Sequence, residues 1–307
     1  MDPALPLSGT YVCHGITWAH TQPRLLLAPL PQGPLLHAPV VGRRLAYQVS
    51  GTGRWCTGRY RFTGRSGVEA LPCPGRAPAA AGGQCASCAG RDDFRFAHQV
   101  HRGGHVPQAL AAYLAQPHWL YLATFADGTT KVGTAAESRR RSRLDEQGAV
   151  AATYLARSPD GRSVRAAEDA LTRCLGLTQT VRAAAKLAAL AAVRDLAPAR
   201  AAHEQHLDRA ARALADMGLP TVLTPWAPPG EGDLLRSAQT ERAVYPHTVH
   251  EGEHGLHLLS CTGSLVLAVI DGDDLPYLLD LGALKGHRIT LGEQFTSPPT
   301  AVQPVLF

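Results

Sequence analysis

Cysteines are the first residues in this chain whose type and spacing imply chemistry. Cys56, Cys73, Cys85 and Cys88 lie in a stretch otherwise built of Gly, Pro, Arg and Ala. Cys85-Ala86-Ser87-Cys88 is a C-x-x-C knuckle, and four thiolates suit a tetrahedral structural zinc. A segment with so little apolar surface needs such a staple, because zinc binding supplies the folding free energy that a core would otherwise give. Cys56 and Cys73 are widely spaced, so this is not a standard two-knuckle ribbon. Free cysteines in a loop remain an alternative. A redox C-x-x-C is a weaker one, since no βαβ pattern surrounds it. His98, His101 and His105 follow; any of them could replace one ligand, and surface histidines fit the same positions.

The second concentration of reactive side chains runs from Trp119 to Glu168. Tyr121, Lys131, Arg143 and Glu168 are a phenol, an amine, a guanidinium and a carboxylate. The elements that must hold them are readable. An apolar run from Trp119 to Phe125 meets Asp127-Gly128, a hairpin-turn signal, and a return run follows from Thr129 to Gly133. Thr134-Ala135-Ala136-Glu137 has capping-box form and predicts a helix start. That helix carries Arg139, Arg140, Arg141 and Arg143 and should stop near Gly148. A second strand, Val150 to Ala156, leads to a helix with Ser163 as its N-cap, Glu168 in its second turn and Gly176 at its end.

This order resembles the GIY-YIG nuclease superfamily over roughly residues 115–180. Trp119-Leu120-Tyr121 stands where that family has Gly-Ile-Tyr, and Lys131-Val132-Gly133 where it has Tyr-Ile-Gly. Arg143 matches the arginine of the first helix and Glu168 the metal-binding glutamate. The longer string around Lys131-Val132-Gly133 and Arg143-Leu144-Asp145-Glu146-Gln147-Gly148-Ala149 is similar to a bacterial family of unknown function, domain of unknown function 2797. The resemblance implies an α+β fold with a small antiparallel sheet and flanking helices, and Mg²⁺-dependent phosphodiester cleavage. Tyr121 would orient or deprotonate water, with Lys131 and Arg143 lowering its pKa. Arg143 would offer a bidentate fork to phosphate, and Glu168 would hold one Mg²⁺ among waters. Two departures count against chemistry. Trp119 replaces the first glycine, and Gln147 stands four residues past Arg143 where relatives carry a proton-shuttling residue. Gln147 is left to position a phosphate or water, and Arg139, Arg140 and Arg141 to bind nucleic acid. Asp145 and Glu146 read as solvated helix charges.

Geometry sets a condition. A two-residue Asp127-Gly128 turn would place Tyr121 and Lys131 on opposite faces; a three-residue turn or a bulge brings them to one. The alternative to catalysis is a core tyrosine, a surface lysine and an exposed glutamate. Three functional readings follow: a GIY-YIG-type nuclease, a non-cleaving zinc-containing nucleic-acid-binding protein, and a scaffold recruited to small-molecule chemistry.

The whole chain of 307 residues is 45% hydrophobic and 18% charged with a net charge of +5, which excludes bulk disorder and is compatible with nucleic acid. Lysine is rare, occurring only as Lys131, Lys186 and Lys285. No run long enough to span a membrane exists and no export signal is present. An odd total of seven cysteines then favours metal over disulfides, and a cytoplasmic location. Four units are expected: an N-terminal β unit over 1–50, the cysteine segment over 51–104, the GIY-YIG-like domain with a helical extension over 105–217, and a C-terminal β domain over 218–307. Pro198 should split an alanine-rich helical region. His203 and His206 lack metal-site spacing. Pro34-Leu35-Leu36…Gly42-Arg43-Arg44-Leu45 echoes Leu278-Leu279…Gly286-His287-Arg288-Ile289, so the terminal segments are related or packed together, with the middle unit inserted between them. The sequence is silent on oligomeric state.

Overall fold

The computed structural model describes residues 8–65, 67–80, 83–97, 106–193, 195–238 and 240–300. His98, His101 and His105 lie outside them. The chain opens with four strands, β1 (Gly9–Ala19), β2 (Gln22–Pro29), β3 (Leu36–Pro39) and β4 (Arg43–Val49). The cysteine segment adds the hairpin β5 (Arg59–Phe62) and β6 (Val68–Leu71) and two short helices, α1 (Ala86–Gly90) and α2 (Phe94–Ala97). Helix α3 (Gln108–Leu114) leads into β7 (His118–Thr124), β8 (Thr130–Ala136), α4 (Arg140–Asp145), β9 (Ala151–Ser158) and α5 (Gly161–Leu175). Helices α6 (Ala183–Ala192) and α7 (Ala197–Asp216) follow, then β10 (Thr224–Pro225), α8 (Asp233–Arg236) and β11 (Ala243–Val244). The chain closes with β12 (Glu253–Thr262), β13 (Leu265–Ile270), β14 (Tyr277–Asp280) and β15 (Arg288–Leu291).

The first and last strands form one sheet, in the order β11-β14-β13-β12-β4-β15-β1-β2-β3. Strands from the segments 1–50 and 218–307 are therefore hydrogen-bonded halves of one sheet. The order carries an internal two-fold. Strands β1 to β3 and β12 to β14 are matching antiparallel meanders, and each fourth strand crosses to the other half. β4 pairs with β12, Leu45 facing Leu256. β15 pairs with β1, Ile289 facing Tyr11. The two crossing strands meet at the centre, Gln48 opposite Thr290. The echo of Gly42-Arg43-Arg44-Leu45 in Gly286-His287-Arg288-Ile289 lies on these exchanged strands. Alternating residues from both halves, among them Leu25, Leu27, Tyr47, Leu256, Val266 and Ile289, share one core.

The middle unit has its own sheet, β10-β9-β7-β8. β7 is buried along its whole length, so it reads as a continuous apolar run rather than an alternation. Leu120, Leu122, Val132 and Leu155 pack on α5 and α7. Trp119, Tyr121, Ala123 and Tyr154 point to the other face, which α4 covers through Leu144. The cysteine segment docks through Phe62 on Tyr113, Leu114 and Ala136. Helix α6 joins the two bodies, since Ala189 and Leu190 pack with Leu265, Leu267 and Leu278 of the large sheet and with Ala126 and Val150.

Two local expectations need correction, and one left open is decided. Thr134 does not cap a helix: β8 continues to Ala136, and the chain turns through a 3-10 turn at Glu137–Arg139 with no side-chain cap. Pairing with β7 holds those residues extended. The N-cap of α5 is Asp160, not Ser163; its carboxylate accepts from the Arg162 and Ser163 amides at 2.8 Å each. The hairpin loop is Ala126-Asp127-Gly128, three residues, closed by the Phe125 N–H on the Thr129 carbonyl at 2.9 Å. Gly128 adopts φ 83° there, which its missing Cβ permits. Pro198 sits in the first turn of α7, where a missing N–H costs nothing.

His203 on α7 is a fully used core histidine. Its Nδ1 meets Thr124 Oγ1 at 2.8 Å and its Nε2 meets Thr153 Oγ1 at 2.9 Å, tying β7 to β9. Burial pushes its pKa down to about 4. A depressed histidine pKa means that the unfolded chain binds the extra proton first as pH falls. His203 therefore lends its full stability above about pH 6.5 and loses it as pH drops towards 4, on the order of 3 kcal/mol. His203→Leu should flatten that acid-side slope in denaturant melts at pH 4.5 and 7. An unchanged slope would refute the assignment.

Candidate functional site

The three-residue hairpin loop meets the condition set by the sequence. Ala123 pairs with Lys131 and Tyr121 with Gly133, so Tyr121, Lys131 and Gly133 share one face. The Lys131 ammonium lies 5.9 Å from the Tyr121 ring centroid. Gly133 makes room for the phenol: a Cβ built there would stand 2.5 Å from the Tyr121 oxygen. No side chain could occupy that position without displacing the ring.

Tyr121 is 0% exposed; its hydroxyl is buried and faces the Arg143 guanidinium without a well-formed hydrogen bond. Burial pushes its pKa up to about 12; Arg143 opposes the shift and the Glu168 carboxylate adds to it. The expected lowering by neighbouring cations is thus outweighed by desolvation. Lys131 moves the other way. Burial, then the Arg143 and Lys186 charges, bring it down to about 8, and Glu168 partly offsets them. Arg143 is 44% exposed along its side chain and 3.9 Å from Glu146, so it is the member of the group that meets solvent.

Glu168 arrives from the far side. Its helix, α5, packs on the Leu120 and Leu122 face, opposite Tyr121. β8 is the edge strand, and the Glu168 charge acts on Lys131, Tyr121 and Arg143 across that edge. The carboxylate is buried, makes no hydrogen bond among the described residues, and has Arg165 at 3.8 Å. Burial pushes its pKa up, against Arg165 and Lys131. One desolvated carboxylate with no fixed hydrogen bond fits a cation that keeps most of its waters.

Lys186 of α6 also acts on this group, through Lys131. Its ammonium donates to the Gln147 carbonyl at 2.7 Å and lies 4.6 Å from the Phe125 ring centroid. Burial brings its pKa to about 8, and Arg143 adds to the fall. Sequence reading passed over it as part of an alanine-rich helix; the scarcity of lysine was the available signal. Gln147 is buried and donates its amide to the Arg143 carbonyl at 3.1 Å, so it fastens the end of α4.

The three other arginines are engaged. Arg139 pairs with Glu146 at 2.5 Å. Arg141 donates to the Ala227 carbonyl at 2.9 Å. Arg140 places its guanidinium carbon 3.8 Å from the Trp119 ring and 4.2 Å from the Tyr154 ring. Asp145 and Glu146 are not solvated helix charges. Asp145 is 2% exposed and accepts from the Trp226 indole at 2.8 Å, and Glu146 bridges Arg139 and Arg143.

The cysteines form a second centre. Sγ of Cys56, Cys73, Cys85 and Cys88 all lie within 4.8 Å of one another, and Cys73 Sγ is 4.0 Å from Cys85 Sγ. Thiolates around a tetrahedral zinc are separated by about 3.8 Å, which follows from Zn–S bonds of about 2.3 Å, so the four could hold a metal such as zinc. Cys85 precedes α1, and the Cys88 amide holds its thiol down to about 7. Burial pushes the Cys56 and Cys88 thiols up. The Gly58 amide donates to Cys56 Sγ at 3.3 Å. Gly58, at φ 77°, lies so close to the Leu71 carbonyl and the Cys73 amide that no Cβ fits.

Residues 82–226 match the family described as a protein of unknown function (DUF2797). The match takes in the Cys85–Cys88 knuckle and the whole group from Tyr121 to Lys186. It leaves out Cys56 and Cys73. No curated protein and no solved structure matches the chain. No helix is long and apolar enough to cross a membrane among the described residues.

Proposed function

We propose that the protein is a metal-dependent nuclease of the GIY-YIG type that hydrolyses nucleic-acid phosphodiesters. One observation carries the reading: a phenol, an amine, a guanidinium and a carboxylate from four different elements act on one another around a buried hydroxyl. Lys131, brought to about 8, is close enough to neutral pH to take a proton from water. Tyr121 stays protonated and donates its O–H to the water or to a phosphate oxygen. Arg143, half open to solvent, offers its fork to the phosphate. Mg²⁺ held by Glu168 would supply charge neutralisation at the leaving oxygen.

A second reading, nucleic-acid binding without cleavage, is favoured by one feature. The Tyr121 hydroxyl is sealed from solvent, so substrate must part its neighbours to reach it. Incubating plasmid, single-stranded DNA and RNA with the full chain and Mg²⁺ or Mn²⁺ separates the two. Metal-dependent cleavage of at least one substrate is expected. No cleavage together with binding that weakens steeply between low and high salt would replace the first reading by the second.

A further inference from the structure

Helix α4 has a second lined side. Arg141 and Asp145 stand about half a turn around it from Arg143, towards β9 and β10. There the tip of the β1–β2 hairpin descends from the large sheet and closes a cavity of about 620 Å³ lined by Trp18, His20, Arg140, Asp145, Tyr154 and Trp226 among others. Two polar groups define it, and one buried oxygen among them lacks a partner. Asp145 Oδ1 accepts from Trp226 Nε1 at 2.8 Å and has Arg141 Nε at 3.5 Å, but Oδ2 is buried and accepts no hydrogen bond among the described residues. A buried carboxylate oxygen left without a donor is costly. Arg140 is wedged between Trp119 and Tyr154, where its guanidinium acts on the Tyr154 phenol and keeps further N–H donors for a ligand. Two aromatic faces hold the planar fork in place before any ligand arrives.

These groups set conflicting demands on a ligand. Arg140 calls for an anion; Asp145 repels one and calls for an N–H donor. Aromatic walls favour a flat ring. A ligand with a donor edge at one end and an oxyanion at the other satisfies all three. We propose that this cavity binds a nucleotide: the base lies along the wall of Trp18, Tyr154 and Trp226, its amino group donates to Asp145 Oδ2, and its phosphate rests on Arg140. Guanine, adenine and cytosine carry such an amino group. Uracil presents its one ring N–H between two carbonyl oxygens, which the carboxylate repels. The shared chemistry covers a free mononucleotide and an unpaired nucleotide within a strand. The inference does not depend on the proposed cleavage, since Tyr121, Lys131 and Glu168 take no part in it.

Trp18 and Trp226 line the cavity and Trp119 underlies Arg140, so three of the four tryptophans report on it. The test is a tryptophan-fluorescence titration of the full chain, checked by calorimetry, with GMP, AMP, CMP, UMP and inorganic phosphate. Binding of the amino-bearing nucleotides at least about tenfold tighter than UMP or phosphate is expected. Arg140→Ala should weaken it about tenfold, and Glu168→Gln should leave it unchanged. Asp145→Asn should shift preference towards UMP, because the new amide can donate to a uracil carbonyl; a merely structural carboxylate would not move base preference. Should that variant fail to fold, Arg140→Ala and the base series still decide. Nucleotides binding no better than phosphate, or binding indifferent to Arg140→Ala, would overturn the inference and leave the cleavage reading standing. A short single strand that competes with GMP supports a strand nucleotide as the ligand; one that does not supports a free nucleotide.

Discussion

Lys131→Met is expected to reduce metal-dependent cleavage by about 10²–10⁴-fold, the range a positioned general base contributes. Arg143→Ala should cost about 10²–10³-fold, as loss of one donor aimed at developing charge does. Glu168→Gln should abolish the response to Mg²⁺ while leaving the shape of its site, since the carboxylate is buried without a fixed hydrogen bond. The pH profile separates a base from a mere cation. Lys131 sits at about 8, and its neutral form is the reactive one, so the rate should climb with pH up to about 8 and level off above it. Lys131→Arg keeps the charge but cannot lose it near neutral pH, and should be inactive at every pH tested. Tyr121→Phe should lose less than Lys131→Met, because a phenol pushed up to about 12 is a donor and not a base. Full activity in Lys131→Arg, or a rate that falls between pH 7 and 8, would overturn these roles.

The strands and the cysteine cluster were legible in the sequence because both signals are local. Residues 1–50 and 218–307 read as β and supply the large sheet, and C-x-x-C marked one half of the sulfur centre. The convergence of Tyr121 with Lys131 rested on a single residue in the hairpin loop. Composition alone left two-residue and three-residue loops open, and the pairing of Phe125 with Thr129 resolved them. What escaped was long-range. Asp145 looked like a helix charge because nothing in its neighbourhood predicts Trp226, some eighty positions on. The exchange of β4 and β15 depends on pairings between residues more than two hundred apart, for which the faint repeat of Gly42–Leu45 in Gly286–Ile289 was the sole trace. Glu168 shows a related difficulty. Its helix packs on the face opposite Tyr121, and only the edge position of β8 lets its charge act on the site.

Removing the metal should unfold the cysteine segment and leave the large sheet intact. Purified protein should carry about one zinc per chain, and less than about half an equivalent would refute the site. Four thiols packed within 4.8 Å of one another, two of them pushed up by burial, have little else to hold them together. Their own apolar cluster is small and made mostly of the cysteines themselves. Structural zinc supplies about 10–16 kcal/mol in small zinc domains, so loss of one ligand in four corresponds to about 2.5–4 kcal/mol. That exceeds what the short β5–β6 hairpin can sustain alone. Cys88→Ser should therefore release the metal and expose residues 55–92 to protease and hydrogen exchange, whereas Cys174→Ser, at an exposed thiol outside the cluster, should change neither. The effect should also travel. Phe62 packs on Tyr113 and Leu114 of α3 and on Ala136 at the end of β8, so chelation should loosen α3 and lower exchange protection at the far end of the hairpin that carries Lys131. Trp55 donates its amide to the Gly286 carbonyl at 2.6 Å and lies under Arg288, which anchors the other end of the segment to β15. Loss of protection confined to 55–92 would show that the segment is an appendage; loss that spreads into β8 would show that it braces the site around Lys131.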